Sequence, residues 1–161
     1  MSLPDRRAFL VLLALAGCGF TPAYAPGGPA AGLQGAFRLA EPDTKNAFDF
    51  VERMEERLGR DTAARYDLAY DIRTSTSGVG EQRNNTTTRY NMTGTITWGV
   101  TDRTTGARVT GGTATNFTSY SATGSTLATL AAQEDAGTRL MRILADQIVT
   151  QLTATSGLWA Q

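Results

Sequence analysis

Residues 65–73 read Arg-Tyr-Asp-Leu-Ala-Tyr-Asp-Ile-Arg, and every second side chain from Tyr66 to Ile72 is apolar. Tyr66, Leu68, Tyr70 and Ile72 fall on one side, and Arg65, Asp67, Ala69, Asp71 and Arg73 on the other. A period of two is that of a strand with one face buried and one face wet. Such a strand belongs to an antiparallel sheet whose single apolar face must be covered by something else.

The same period returns downstream. Tyr90, Met92, Gly94, Ile96, Trp98 and Val100 alternate with Arg89, Asn91, Thr93, Thr95, Thr97 and Gly99, which predicts a long strand over 89–101. The polar stretch 75–85 between the two strands reads as a loop. Asp102-Arg-Thr-Thr-Gly106 reads as a turn, with Gly106 suited to a positive φ. Residues 108–120, rich in Thr and Gly, form the return strand, and pattern alone leaves its buried face open.

The cover comes from two segments of helical period. Ala47, Val51, Met54 and Leu58 recur at helical spacing, with Phe48 and Phe50 widening the stripe, after an N-cap at Asp43 or Thr44 and before a C-cap at Gly59. From about 125 to 153, Leu127, Leu130, Ala131, Leu140, Met141, Leu144, Ile148 and Leu152 form a second stripe. Ser125 caps this helix, Gly137 weakens its middle and Gly157 lies past its end. A short strand within 34–40 precedes the first helix. The order is β-α-β-β-β-α. The fold class expected is α+β, a two-layer sandwich with a mostly antiparallel four-stranded sheet and both amphipathic helices on one face.

Composition narrows the function. The 161 residues carry 15 basic and 15 acidic groups, so no basic excess points to nucleic acid. Histidine is absent, which removes the commonest general base and metal ligand. One cysteine can close no internal disulfide and build no Cys-rich metal site. Glu55-Glu56 and Glu134-Asp135 are sequence neighbours and diverge on a helix, so they form no catalytic pair. Gly78-Val-Gly80 has no helix after it and is no phosphate loop. The reading is a non-enzyme with no cofactor and no metal.

The amino terminus supplies an address. Arg6 and Arg7 precede an apolar run from Ala8 to Ala16, too short for the roughly 20 residues of a membrane-spanning helix. Leu15-Ala16-Gly17-Cys18 then resembles a bacterial lipobox. That resemblance implies a signal peptide over 1–17, cleavage before Cys18, and acyl chains on Cys18 as a membrane anchor. Asp5-Arg6-Arg7-Ala8-Phe9-Leu10 resembles a twin-arginine export signal, and a plain basic n-region reads the same stretch equally well. Gly19 favours the outer membrane, on its periplasmic side. Residues 18–32, with three of the five prolines, read as a tether, and 33–161 as the folded domain.

The chain resembles the LPS-assembly lipoprotein family (LptE type, also RlpB). The resemblance lies in Cys18-Gly19-Phe20-Thr21-Pro22-Ala23-Tyr24, in the β-α-β-β-β-α order, in Leu130-Ala131-Ala132-Gln133-Glu134-Asp135-Ala136 and in Ser119-Tyr120-Ser121. It implies a non-enzymatic plug inside the lumen of an LptD-like outer-membrane β-barrel, which helps that barrel assemble and helps lipopolysaccharide reach the outer leaflet. Lipopolysaccharide itself is then an implied ligand. Arg89, Arg103 and Arg108 lie on or near the central hairpin and are candidate contacts for its phosphates, since arginine binds phosphate bidentately. Plain solubility charges are the competing reading of these three. A transport-auxiliary lipoprotein of an ABC-type lipid importer is the competing function.

Overall fold

The computed structural model describes residues 24–160 apart from 27, 29, 82–86 and 123–124. Its elements follow the expected order: β1 Phe37–Leu39, α1 Lys45–Leu58, β2 Tyr66–Glu81, β3 Thr87–Asp102, β4 Arg108–Ser121 and α2 Thr126–Trp159. The four strands form one sheet in the order β1-β2-β3-β4. β1 runs parallel to β2, with α1 as the crossover that a parallel pair requires. β2, β3 and β4 are antiparallel neighbours.

The register keeps one set of side chains inside. Tyr66, Leu68, Tyr70 and Ile72 stand opposite Asp102, Val100, Trp98 and Ile96. Ile96 and Trp98 stand in turn opposite Ala114 and Gly112, so the even-numbered positions of β4 share the buried face. Ala114, Thr118 and Tyr120 are buried and Thr113, Thr115 and Phe117 are exposed, which decides the face that pattern left open. Thr118 is tolerated inside because its hydroxyl donates to the Ala136 carbonyl, 3.0 Å away.

α1 begins at Thr44, whose hydroxyl accepts the Ala47 N–H at 3.2 Å, and ends at Gly59 with φ 76°. It buries Ala47, Phe50, Met54 and Leu58. Phe50 meets Tyr70 edge-on, ring centroids 4.9 Å apart. α2 buries Leu140, Met141, Leu144, Ala145, Ile148, Val149 and Leu152. The two helices are also clamped by charge. Arg53 donates to both oxygens of Asp146, Arg57 adds a third bond at 2.7 Å, and Thr138 donates to Asp49 at 2.8 Å. These pairs are half exposed and contribute little beyond alignment. Hydrogen bonds from Arg53 to Asp146, then to Glu56, hold its guanidinium firmly protonated.

α2 can lie close to the sheet because β3 carries Gly94 beneath it. A Cβ at Gly94 would sit 2.9 Å from Leu144 Cδ1 and 3.0 Å from Leu140 Cδ2. The helix therefore rests on bare backbone, between the larger Met92 and Ile96.

Five expectations are corrected. The stretch 75–85 is no simple loop: β2 continues to Glu81, with Ser75, Thr76, Ser77 and Gly78 paired to Thr93, Met92, Asn91 and Tyr90. The backbone ladder holds these residues in place, while residues 73–79 are all exposed, so no alternation marks them. Gly157 lies inside α2 rather than past it. The final turn is kept by Trp159, whose ring packs 5.3 Å from Tyr66 and 6.2 Å from Phe37. The second stripe is not buried throughout, since Leu127 and Leu130 are exposed on turns of α2 that project past the core. Phe48 is likewise exposed. Ser125 occupies the N-cap position, but its side chain makes no capping hydrogen bond.

Two described residues of the stretch read as a tether touch the domain. Ala30 is fully buried beside Leu33 in the core, and the Tyr24 hydroxyl lies 3.0 Å from Thr153 Oγ1.

Replacing Gly94 with Val should cost about 2–3 kcal/mol through overpacking against Leu140 and Leu144. Urea unfolding checks this: the midpoint should fall with an unchanged slope.

Asp102 gives a pH signature. Its Oδ1 accepts the N–H groups of Thr104 and Thr105 at 2.8 and 3.1 Å, and Arg65 lies 3.4 Å from Oδ2. The two backbone bonds, more than the arginine, hold its carboxyl below the ordinary value of 3.8. A depressed carboxyl stabilises the fold above that ordinary value, and the contribution vanishes as pH falls through the folded value. Asp102→Ala should therefore lower the unfolding midpoint at neutral pH, and the difference from the parent should shrink as the solution is acidified.

Candidate functional site

With both helices on one side, no element among the described residues covers the other face of the sheet. Its side chains come from the odd-numbered positions of β2, β3 and β4. Cross-strand rows read Arg73–Thr95–Thr115, Asp71–Thr97–Thr113, Ser75–Thr93–Phe117 and Ser77–Asn91–Ser119. Several rows satisfy themselves. Thr95 and Thr115 hydroxyls lie 3.2 Å apart, and Ser119 Oγ donates to Asn91 Oδ1 at 2.6 Å. Arg73 is held by Asp71 at 2.9 Å. Phe117, 59% exposed, is a large apolar exception on this face.

One row is made of small residues: Ala69, Gly99 and Gly111 stand side by side on three strands. The Arg108 side chain lies along it. A Cβ at Gly99 would sit 3.3 Å from Arg108 Nε, and one at Gly111 would overlap the guanidinium. Arg108 donates to the Trp98 carbonyl at 3.4 Å. The result is a shallow depression of about 420 Å³ bordered by Ala69, Asp71, Thr97, Gly99, Thr101 and Arg108.

The other two candidate arginines lie elsewhere. Arg103 sits in the 102–107 turn, donates to the Ala64 carbonyl at 2.8 Å and faces Asp67 at 3.5 Å. Arg38 holds the same Asp67 at 2.9 Å. Arg89 stands opposite Ser121 at the far end of the hairpin, beside a hollow shared with Tyr120, Ala132, Asp135 and Arg139. Thirteen residues of extended strand separate Arg89 from the 102–107 turn, about 40 Å. The fold thus brings Arg103 and Arg108 to one end and Arg89 to the other. Cys18 lies outside the described residues.

Pattern reading missed a groove of about 380 Å³ on the helix side, between the start of α1, the projecting turns of α2 and the distal part of the β2–β3 hairpin. Lys45, Asn46, Asp49, Thr74, Met92 and Leu130 line it. Hydrogen bonding to Asp49, with Glu134 nearby, raises the Lys45 pKa and keeps its ammonium charged. The visible signal was an apolar stripe in α2 that starts several turns before the sheet can cover it. Among the described residues, no group of three or more His, Cys, Asp or Glu could hold a metal ion. Among them, too, no helix is long and apolar enough to cross a membrane.

Known proteins share this architecture. A lipoprotein candidate from Caulobacter crescentus CB15 superimposes with a TM-score of 0.67 at 21% identity, over 82% of this chain and 98% of that one. Rare lipoprotein B from Shewanella oneidensis gives a TM-score of 0.58 at 13% identity, over 74% of this chain and 93% of the other. A minor lipoprotein from Acinetobacter baumannii gives 0.53 at 19%, over 74% and 89%. At such identities the likeness is one of fold. No curated protein matches the chain. The family model described as LptE, lipopolysaccharide-assembly, matches residues 36–152, from the start of β1 to the last buried leucine of α2. That match spans nearly the whole folded domain, and the chain belongs to the LptE lipopolysaccharide-assembly family.

Proposed function

We propose that this protein is an outer-membrane lipoprotein, anchored on the periplasmic side through acyl chains on Cys18. In this reading it seats in the lumen of an LptD-like β-barrel, helps that barrel assemble, and supports passage of lipopolysaccharide to the outer leaflet. Arg89, Arg103 and Arg108 are the proposed phosphate contacts. The role is binding and assembly, without catalysis.

The observation that carries the reading is the uncovered outer sheet face. It is broad, polar and in part hydrogen-bonded within itself, with Thr, Ser and Asn in rows across three strands. The lumen of an outer-membrane barrel is polar too, so such a face can enter it without burying unpaired apolar surface. Membership of the LptE family supports the same assignment.

Affinity purification from outer membranes solubilised in mild detergent tests it. A large β-barrel should co-purify. Recovery of the lipoprotein alone would overturn the reading, and recovery of an inner-membrane ATPase would select the importer-auxiliary function instead. Thr97→Arg, on the exposed outer face, should change stability by no more than about 0.5 kcal/mol yet lower barrel recovery several-fold. Mass spectrometry should find the mature chain beginning at an acylated Cys18, and an unacylated chain that keeps Met1 would remove the anchor.

A further inference from the structure

We infer that, before it enters any barrel, the anchored domain stands end-on at a phospholipid bilayer, with the 102–107 turn and the carboxyl end of α2 toward the lipid and the Gly78/Tyr90 end of the hairpin farthest from it. The inference rests on the Cys18 anchor proposed above.

The first step is to find which end the anchor leaves from. The Tyr24 hydroxyl contacts Thr153 in the last third of α2. From there the chain passes through the buried Ala30 and Leu33 to Gly35, whose N–H donates to the Leu58 carbonyl at the end of α1. Trp159, at the end of α2, packs on Phe37 and Tyr66, and Tyr66 pairs with Asp102. The Arg103 N–H donates to the Arg65 carbonyl. The docked amino-terminal segment, the carboxyl ends of both helices and the 102–107 turn therefore form one end of the domain.

The second step is reach. Cys18 precedes Tyr24 by six residues. Six residues span at most about 20 Å when fully extended. The path along β3 from Asp102 to Tyr90 is about 40 Å. The anchor can thus hold the Tyr24 end at the lipid surface but cannot bring the opposite end there while Tyr24 stays docked.

The third step is the chemistry of that end. Leu158 is 87% exposed beside Trp159, and Tyr24 is 43% exposed. A leucine and a tyrosine with its hydroxyl already hydrogen-bonded suit the boundary between headgroup and acyl chain. Arg60, Arg65 and Arg103 lie among Asp61, Asp67 and Asp102, and Arg108 at the same end leaves only a small basic excess, so electrostatic attraction is a minor part of the contact. The covalent anchor supplies the affinity, and the exposed apolar groups select which end faces the lipid. The apolar residues at the other end, Leu127, Leu130 and Val79, are then left for contacts away from the bilayer.

The test uses the full lipidated chain in vesicles of phosphatidylethanolamine and phosphatidylglycerol that carry a headgroup-attached quencher. Because the sole cysteine is consumed by acylation, a cysteine introduced by Leu158→Cys or Val79→Cys can be labelled uniquely. Quenching should be several-fold stronger at position 158 than at 79, and a flexible insertion between Gly19 and Tyr24 should weaken it at 158. Thr104→Cys gives the same readout should the Leu158 variant fail to fold. Equal quenching at both positions means the domain lies flat and overturns the inference, as does stronger quenching at 79. Flotation separates the causes. A chain that floats with vesicles but shows the wrong pattern refutes only the orientation, whereas a chain that does not float refutes the anchor, and the orientation with it.

Discussion

The close seating of α2 on the sheet is the contact from which the rest of the architecture follows. Leu140 and Leu144 settle over Gly94, and Met141, Ile148 and Leu152 extend the buried stripe along the helix. A helix 34 residues long, about 50 Å, then runs about as far as the 16-residue strands β2 and β3 beneath it. Its carboxyl end reaches Phe37 and Tyr66, which fixes the parallel β1–β2 pair and places α1 alongside through Asp146. Its amino end runs out past the core. Both the deep interior and the projecting, half-solvated end come from this one element.

The period of the side chains made most of this legible. Tyr66 to Ile72 and Tyr90 to Val100 each declare a one-sided strand, and the two helical stripes declare their cover. The errors have a common physical origin. Hydrophobic alternation reports burial, whereas strands persist wherever backbone groups find partners. β2 beyond Arg73 is such a case: its ladder with β3 is intact, yet neither face is buried, so Ser75 to Gly78 looked like loop. β4 was ambiguous because Thr and Gly occupy both faces, and only its register against Ile96 and Trp98 assigns them. Leu127 and Leu130 fit the helical stripe but stay exposed, with Leu130 facing the distal hairpin across an open groove. Position along a stripe does not tell where the covered surface stops.

The site was less legible than the fold. Sequence could offer Arg89, Arg103 and Arg108 as charges near one hairpin, but separation along a strand converts directly into distance, and the fold spreads them over both ends. Nor could pattern show that Arg108 lies in a trough of Ala69, Gly99 and Gly111, because that row exists only once three strands are in register. The outer face as a whole was foreseeable as polar. Its self-pairing, with Thr95 on Thr115 and Ser119 on Asn91, required the register as well.

That self-pairing bears on how such a face could work. Hydroxyls already bonded to neighbours offer a partner few strong new contacts, and apolar burial across the face is scant apart from Phe117. Intrinsic affinity through this surface is therefore modest, unlike the apolar interface of an obligate dimer. On the proposed reading the anchor resolves the difficulty. A domain held about 20 Å or less from its lipid attachment meets a partner in the same membrane at an effective concentration near the millimolar range. A weak polar surface is then sufficient for occupancy, and its lack of sticky apolar groups keeps the unpartnered domain from associating with itself. Anchor and face thus divide the work: the acyl chains supply residence in the membrane, and the sheet supplies fit.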